Sequence, residues 1–309
     1  MTRGSGGLVT VDEAAAILRD GGVCALPTET VYGLAALASE GEAVARIYDI
    51  KGRPRFNPLI VHCASSEEAA RTGRFGEAAR RLADAFWPGP LTLVLPRRET
   101  AAVAELASAG LATIAVRIPA HTLTREVIGR VGAPLVAPSA NRSGRLSPTC
   151  AAHVLEEFAG RIPVVDGGPC AAGIESTIVG LAGPQPVLLR PGAIPAGAVE
   201  DVLGTTLEAP GSGIEAPGMM TSHYAPEASL RLAAGTKRPG EVLLGFGGTQ
   251  GADLDLSPAG DLQEAAANLF GFLRQLDSRA KPIAVAAIPD EGLGRAINDR
   301  LRRAAAPRP

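Results

Sequence analysis

Lys51-Gly52-Arg53-Pro54 places two cations around a single glycine. Such a pair can converge on phosphate oxygens, the lysine as a point charge and the arginine as a planar fork. The same residues suit an ordinary helix C-terminus, where cations favour the dipole and Gly-Pro stops the helix. Further along, Pro138-Ser139-Ala140-Asn141-Arg142-Ser143-Gly144 follows an apolar run. Hydroxyls, an amide and exposed N–H groups at a strand end can hold phosphate or ribose, or simply form a polar turn. Gly167-Gly168 through Gly173-Ile174-Glu175-Ser176-Thr177 offers the same choice. Arg117 interrupts an apolar stretch from Thr113 to Ile118. A buried arginine is costly without an anion, so it needs either a structural carboxylate partner or a carboxylate substrate. His62 and Cys63 invite a nucleophile reading, but neighbours on a strand point to opposite faces. At most one of them faces a site, and Cys63 reads as a small core residue.

Other chemistries are disfavoured by what the chain lacks. No G-x-x-x-x-G-K-[ST] occurs, so nucleotide use would not run through a P-loop. Gly245-Phe246-Gly247-Gly248 misses the dinucleotide fingerprint and reads as a turn. There is no H-E-x-x-H, and Cys24, Cys63, Cys150 and Cys170 form no C-x-x-C pair. A zinc site or a disulfide framework is therefore not expected, and a reducing cytoplasm is. The net charge of −2 argues against a general polyanion binder while leaving a local basic pocket open. With 4% aromatic residues, broad base-stacking platforms are not expected either. The residues from Met1 to Gly7 lack the apolar stretch of a signal peptide, and no apolar run is long enough for a bilayer. No membrane association is expected.

The 309 residues leave room for two domains, and 46% hydrophobic residues suffice for a sizeable core. Capping-box spacing at Thr10/Glu13 and Ser65/Glu68 predicts two helix starts. Further helices are predicted over 42–50, 76–86, 122–131 and 148–158. Apolar runs at 23–26, 59–63, 91–95, 113–118, 135–137 and 162–165 predict strands, and 176–181 with 187–189 predicts a late hairpin. This is an α/β or α+β pattern rather than a strict doubly wound one. From about 193 to 226 Pro and Gly accumulate around one short helical piece, as in a linker or lid. Strands at 230–233, 241–246 and 283–287, with amphipathic helices over 262–276 and 293–303, then predict a small separate α/β domain.

Taken together and in order, these motifs are far more specific than any one alone. Pro27-Thr28-Glu29-Thr30-Val31-Tyr32-Gly33-Leu34, the Lys51 turn, and Asn57-Pro58-Leu59-Ile60-Val61-His62 strongly resemble the YrdC-like family. Trp87-Pro88-Gly89-Pro90-Leu91-Thr92, Arg117-Ile118-Pro119, Ser139-Ala140-Asn141 and Arg190-Pro191-Gly192 continue the match. The tail, with Ala216-Pro217-Gly218-Met219 and Ser222-His223-Tyr224-Ala225-Pro226, resembles the family's long, two-domain threonylcarbamoyl-AMP synthase form.

The resemblance implies a twisted, mixed-sheet α+β domain with a large concave cavity over residues 9–194. It further implies a linker folded over that cavity at 195–228 and a small Rossmann-like domain at 229–309. The implied reaction condenses L-threonine, bicarbonate (or carbon dioxide) and ATP into threonylcarbamoyl-AMP and pyrophosphate. A partner enzyme then passes the threonylcarbamoyl group to tRNA. By motif, Arg53, Asn57, Thr113, Ser139, Ser147, Arg190 and Tyr224 are implied to contact ATP. Thr30, His62, Arg117, Ala137 and Ser176 are implied to contact threonine. Lys51 and Asn141 are implied to support the phosphates or Mg²⁺, with Lys51 and Arg53 carrying the catalytic charge. Relatives commonly have a basic residue where Met220 stands here, a departure that bears on the lid. Two rivals remain: a double-stranded RNA-binding module without catalysis, and carbamoyl transfer to another acceptor. The second would call for zinc-finger-like cysteine pairs that this chain lacks.

Overall fold

The computed structural model describes residues 7–211, 216 and 223–307. Helix α1 (Val11–Arg19) starts at a full capping box: Glu13 N donates to Thr10 Oγ1, and Thr10 N to the Glu13 carboxylate. Strands β1 (Cys24–Leu26) and β2 (Gly33–Leu37) follow as an antiparallel pair. Helix α2 (Gly41–Lys51), β3 (Ile60–His62), α3 (Ser66–Thr72), α4 (Glu77–Phe86), β4 (Leu91–Pro96) and β5 (Thr113–Arg117) come next. Then follow α5 (Thr122–Val131), β6 (Leu135–Val136), α6 (Ala151–Glu157), and the antiparallel pair β7 (Thr177–Gly180) and β8 (Val187–Arg190).

These strands form one eight-stranded sheet in the order β1-β2-β6-β3-β5-β4-β7-β8. It is mixed: β3/β5 and β4/β7 run parallel and the other neighbours antiparallel. Its central strands β2, β3 and β5 are buried at every position but Thr113, as a sheet covered on both faces must be. One apolar layer joins β2, β3 and β5 to α2 and α6, and another joins β1 and β2 to α1 and α5. The register His62↔Arg117 of the β3/β5 pair places these two side chains beside each other at one end of the sheet.

Two expectations differ from what forms. The run at 162–165 makes only isolated bridges, Val164 with Leu8 and Ala25, because Pro163 has no N–H to extend a ladder. Conversely β2 is a strand that the alanine-rich Gly33-Leu34-Ala35-Ala36-Leu37 did not announce. Burial on both faces, not β-propensity, makes it one.

Helix α7 (Ala196–Leu203) lies against α4 through Val199 and Leu82. Beyond it Ala216 is buried against the sheet among Ile60, Val94, Ala115 and Ile178. The second unit has a four-stranded parallel sheet of β9 (Leu230–Arg231), β10 (Val242–Gly245), β11 (Leu254–Asp255) and β12 (Ile283–Val285), in the order β11-β10-β12-β9. Helices α8 (Leu262–Asp277) and α9 (Leu293–Ala305) complete it. Leu269, Phe270 and Leu273 of α8 share one apolar cluster with Val31, Leu146 and Ile174 of the first unit. The two units thus share part of one core. Among the described residues no helix is long and apolar enough to cross a membrane.

Candidate active site

Helix α2 ends where Gly52 adopts φ +59°, a left-handed conformation that costs a side-chain-bearing residue energy. The reversal turns Lys51 and Arg53 in different directions. Lys51 Nζ donates to Ser139 O and Asn141 O, each at 2.5 Å, and Ser143 N returns a bond to Lys51 O. Burial, with the Arg53 charge nearby, pushes the Lys51 amine well below its ordinary value. Lys51 is a clamp between two loops some 90 residues apart in the chain.

Arg53 turns inward. Its Nε donates to Asn57 O at 3.1 Å and Nη2 to Asn57 Oδ1 at 2.6 Å and Pro58 O at 2.8 Å. Asn57 therefore holds the guanidinium rather than facing the cavity. Burial brings Arg53 down to about 10, with Tyr48 and Tyr224 opposing the fall and Arg190 adding to it. Asn141 is also wholly buried; its Nδ2 donates to Arg142 O and Arg145 O, while Oδ1 has no partner among the described residues.

At the end of β5, Arg117 is 3% exposed and each of its nitrogens has a partner. Nε donates to Gly89 O at 3.2 Å, Nη1 to Thr30 Oγ1 at 3.0 Å and Nη2 to Glu29 Oε1 at 2.6 Å. Burial works to raise the Glu29 carboxyl, but Arg117 holds it below the usual carboxylate range. Thr30 is set by Thr28, whose hydroxyl lies 2.7 Å from Thr30 Oγ1 and accepts from Thr30 N. Beside Arg117, His62 Nδ1 donates to Ile60 O at 3.1 Å, which leaves Nε2 as an acceptor. Burial, then the Arg117 charge, pushes the His62 ring down to about 3. It is a neutral acceptor and a feeble base.

The third wall comes from β7 and β8. Arg190 reaches Ser176 O at 2.9 Å and Ser176 Oγ at 3.1 Å through Nη2. Gly192 permits this, because a Cβ there would sit 2.4 Å from the Ser176–Thr177 backbone. Glu175 accepts from Ser147 Oγ at 2.6 Å and from Arg300 Nε at 2.8 Å. Burial would raise its carboxyl, but Arg300 and Arg190 keep it below the usual range. Tyr224 closes the top with φ +61°, uncommon for an aromatic residue, and stacks toward Phe270 at 5.7 Å.

These pieces line one shared cavity. Thr30, His62, Arg117, Ala137 and Ser176 line it, and so do Arg53, Ser139, Arg190 and Tyr224. Lys51, Asn57, Asn141 and Ser147 stand behind that wall and hold it. Thr113 does not join them: it begins β5, four residues and roughly 13 Å from Arg117 at strand rise. Sequence reasoning left out Thr28, Glu175 and His223, which also line the cavity, and Glu29 behind Arg117. Glu29 and Glu175 sit within quoted motifs, yet nothing local marks them as partners of arginines 88 and 125 positions away. Met220 and its neighbours 217–219 lie outside the described residues. Burial pushes the Cys24 and Cys170 thiols up to about 12, so neither is poised for attack.

A family model described as telomere recombination, spanning the Sua5, YciO and YrdC proteins, matches residues 16–192. The model for the threonylcarbamoyl-AMP synthase C-terminal domain matches 194–306. The chain belongs to the YrdC/Sua5 family, in its two-domain threonylcarbamoyl-AMP synthase form. It is 41% identical to the threonylcarbamoyl-AMP synthase of Pyrococcus abyssi, over 94% of this chain and 92% of that one. The Bacillus subtilis synthase is also 41% identical, over 96% and 92%. The crystal structure of P. abyssi Sua5 complexed with L-threonine superposes with a TM-score of 0.89 at 39% identity, covering 96% of this chain and 94% of that one. The protein is an enzyme of the nucleotidyltransferase type that makes threonylcarbamoyl-AMP from ATP, threonine and bicarbonate for tRNA modification.

Proposed function

We propose that the triphosphate lies along Arg53 and Arg190 and that threonine lies at Arg117, Thr30, His62 and Ser176. One observation carries this reading: Lys51 Nζ ties the Ser139–Asn141 loop to the end of α2, so that both loops edge a cavity shared with Arg117 and Arg190. Threonine carbamate is a weak nucleophile, and its oxygen must attack the α-phosphorus of a polyanion while the bond to pyrophosphate breaks. Holding both reactants in one recess removes entropy from the barrier, and fixed guanidinium groups offset the charge crowding.

Each side chain then has a defined task. Arg117, already oriented by Glu29 and Gly89 O, has unused N–H groups for the threonine carboxylate. His62 Nε2 accepts from the threonine hydroxyl or amine; at a pKa of about 3 it positions the amine rather than deprotonating it. Ser147, whose hydroxyl proton is committed to Glu175, braces that carboxylate from behind the cavity wall. Among the described residues no cluster of His, Cys, Asp and Glu could hold a metal ion. Mg²⁺ favours phosphates plus few protein ligands, so it enters with ATP as part of the substrate. The unstable mixed anhydride so formed calls for direct consumption by a tRNA-modifying transferase. Four free cysteines, three of them buried, suit a reducing compartment such as the cytoplasm.

The test is pyrophosphate release from ATP and bicarbonate with threonine present, omitted, or replaced by serine. Release should require the amino acid, and serine should be poorer by about tenfold, the scale set by one buried methyl. Threonine-independent release, or salt-dependent RNA binding without any release, would overturn the assignment.

A further inference from the structure

The last helix of the small domain sends one side chain into the first domain. Arg300 on α9 is 1% exposed and is the largest of the fully buried side chains. Its Nε donates to Glu175 Oε2 at 2.8 Å; its Nη1 donates to Pro191 O and to Asp299, both at 2.8 Å. Its guanidinium carbon lies 5.2 Å from the centre of the Tyr224 ring. Its Nη2 is buried and has no partner among the described residues. Glu175 lines the cavity, and its other oxygen takes the Ser147 hydroxyl. A carboxylate in the wall of a triphosphate site is a liability, because like charges there repel and the low dielectric strengthens the repulsion. Asp299 is adjacent in sequence and shares its carboxylate with Arg303, so Glu175 is the acid that Arg300 meets across the domain boundary.

We propose that Arg300 is a positioning residue for the nucleotide: from the small domain it neutralises and orients Glu175 in the cavity wall and props Tyr224 over the cavity. The small domain is then part of the nucleotide site without touching the nucleotide. The inference rests on placing ATP at Arg53, Ser139 and Arg190. It also accounts for a charge that the fold would otherwise bury at a loss, since breaking one side of a buried pair is strongly unfavourable.

The experiment measures steady-state KM for ATP and for threonine in the full-length chain, with melting temperature recorded for each variant. Arg300→Met leaves Glu175 without its ion-pair partner and free to draw on the Arg190 charge, so the ATP KM should rise by about tenfold or more while the threonine KM stays within about twofold. Adding Glu175→Gln removes that anion and should recover most of the ATP KM, which a purely structural loss would not show. Arg300→Lys keeps the charge without the fork and should fall between wild type and Arg300→Met; if Arg300→Met does not fold, it carries the test alone through the same KM split. An unchanged ATP KM, an equal rise in both constants, or no recovery in the double variant overturns the proposal. Arg53→Ala separates this from the underlying reading: if it spares the ATP KM, the ATP placement itself fails; if it raises the ATP KM and Arg300→Met does not, only the role of Arg300 falls.

Discussion

In one part of the cavity wall Arg117 meets Glu29 at 2.6 Å, whereas in another Arg53 donates to the Asn57 and Pro58 oxygens and forms an ion pair with no carboxylate among the described residues. Both arginines are buried, so the difference lies in the anion that each lacks or has. The first part carries matched charge and is suited to an amino acid, which brings charges of both signs. The second part holds a cation that no carboxylate among the described residues pairs, and a polyphosphate supplies what is missing there. Glu175 would blur this contrast, standing near Arg190, but Arg300 from the neighbouring domain takes it up. On the proposed placement, polarity within one recess would separate the two substrates before shape does.

The contrast can be broken most severely from the nucleotide end. Arg53→Ala should lower kcat/KM by about 10²–10³, the scale of losing one preorganised charge-stabilising group, with an unaltered circular dichroism spectrum. Near-normal turnover in that folded variant would erase the distinction drawn here. Lys51→Met tests a different kind of part. As a loop clamp it should lower the melting temperature and raise the ATP KM together, by about tenfold for the latter, since both follow from releasing the Ser139–Asn141 loop. A loss of kcat alone, with melting temperature unchanged, would return Lys51 to the role of a charge facing phosphate.

The smallest effect concerns the two buried imidazoles, His62 near Arg117 and His223 near Tyr224. Burial pushes both down to about 3. Below about pH 6.5 the unfolded chain binds protons at these rings while the folded chain does not, so stability declines as pH falls from there toward 3. Glu29 and Glu175, held below the usual carboxylate range, add their own loss at lower pH as they protonate. His62→Asn should flatten the dependence of unfolding free energy on pH between about 6.5 and 4.5 by about one proton. An unchanged slope would mean that the ring is already accessible to protons in the fold.

Much of this was legible beforehand, and unevenly. The apolar run holding Arg117 announced both a strand and a cation in need of an anion, and adjacency on a strand separated His62 from Cys63, which lies in the core. Strand β2 was missed because alanine and glycine carry little β-signal when the sheet is covered on both sides. The run at 162–165 was overread because one proline outweighs three apolar neighbours. For Lys51 the residue type was informative, but its direction was set by Gly52 and by a loop far along the chain. Arg300 was markable only in part: it falls on the apolar face of α9 with Ala296, Ile297 and Leu301, which announces burial, but nothing local names Glu175 as its partner. Long-range ion pairs have no local spacing to betray them.

The central claim is that one cavity has a threonine end and a nucleotide end. It is tested most directly by pyrophosphate release from Arg117→Ala at varied threonine and at varied ATP. The threonine KM should rise by at least about tenfold while the ATP KM stays within about twofold. An equal rise in both, in a variant that melts as the parent does, would contradict it.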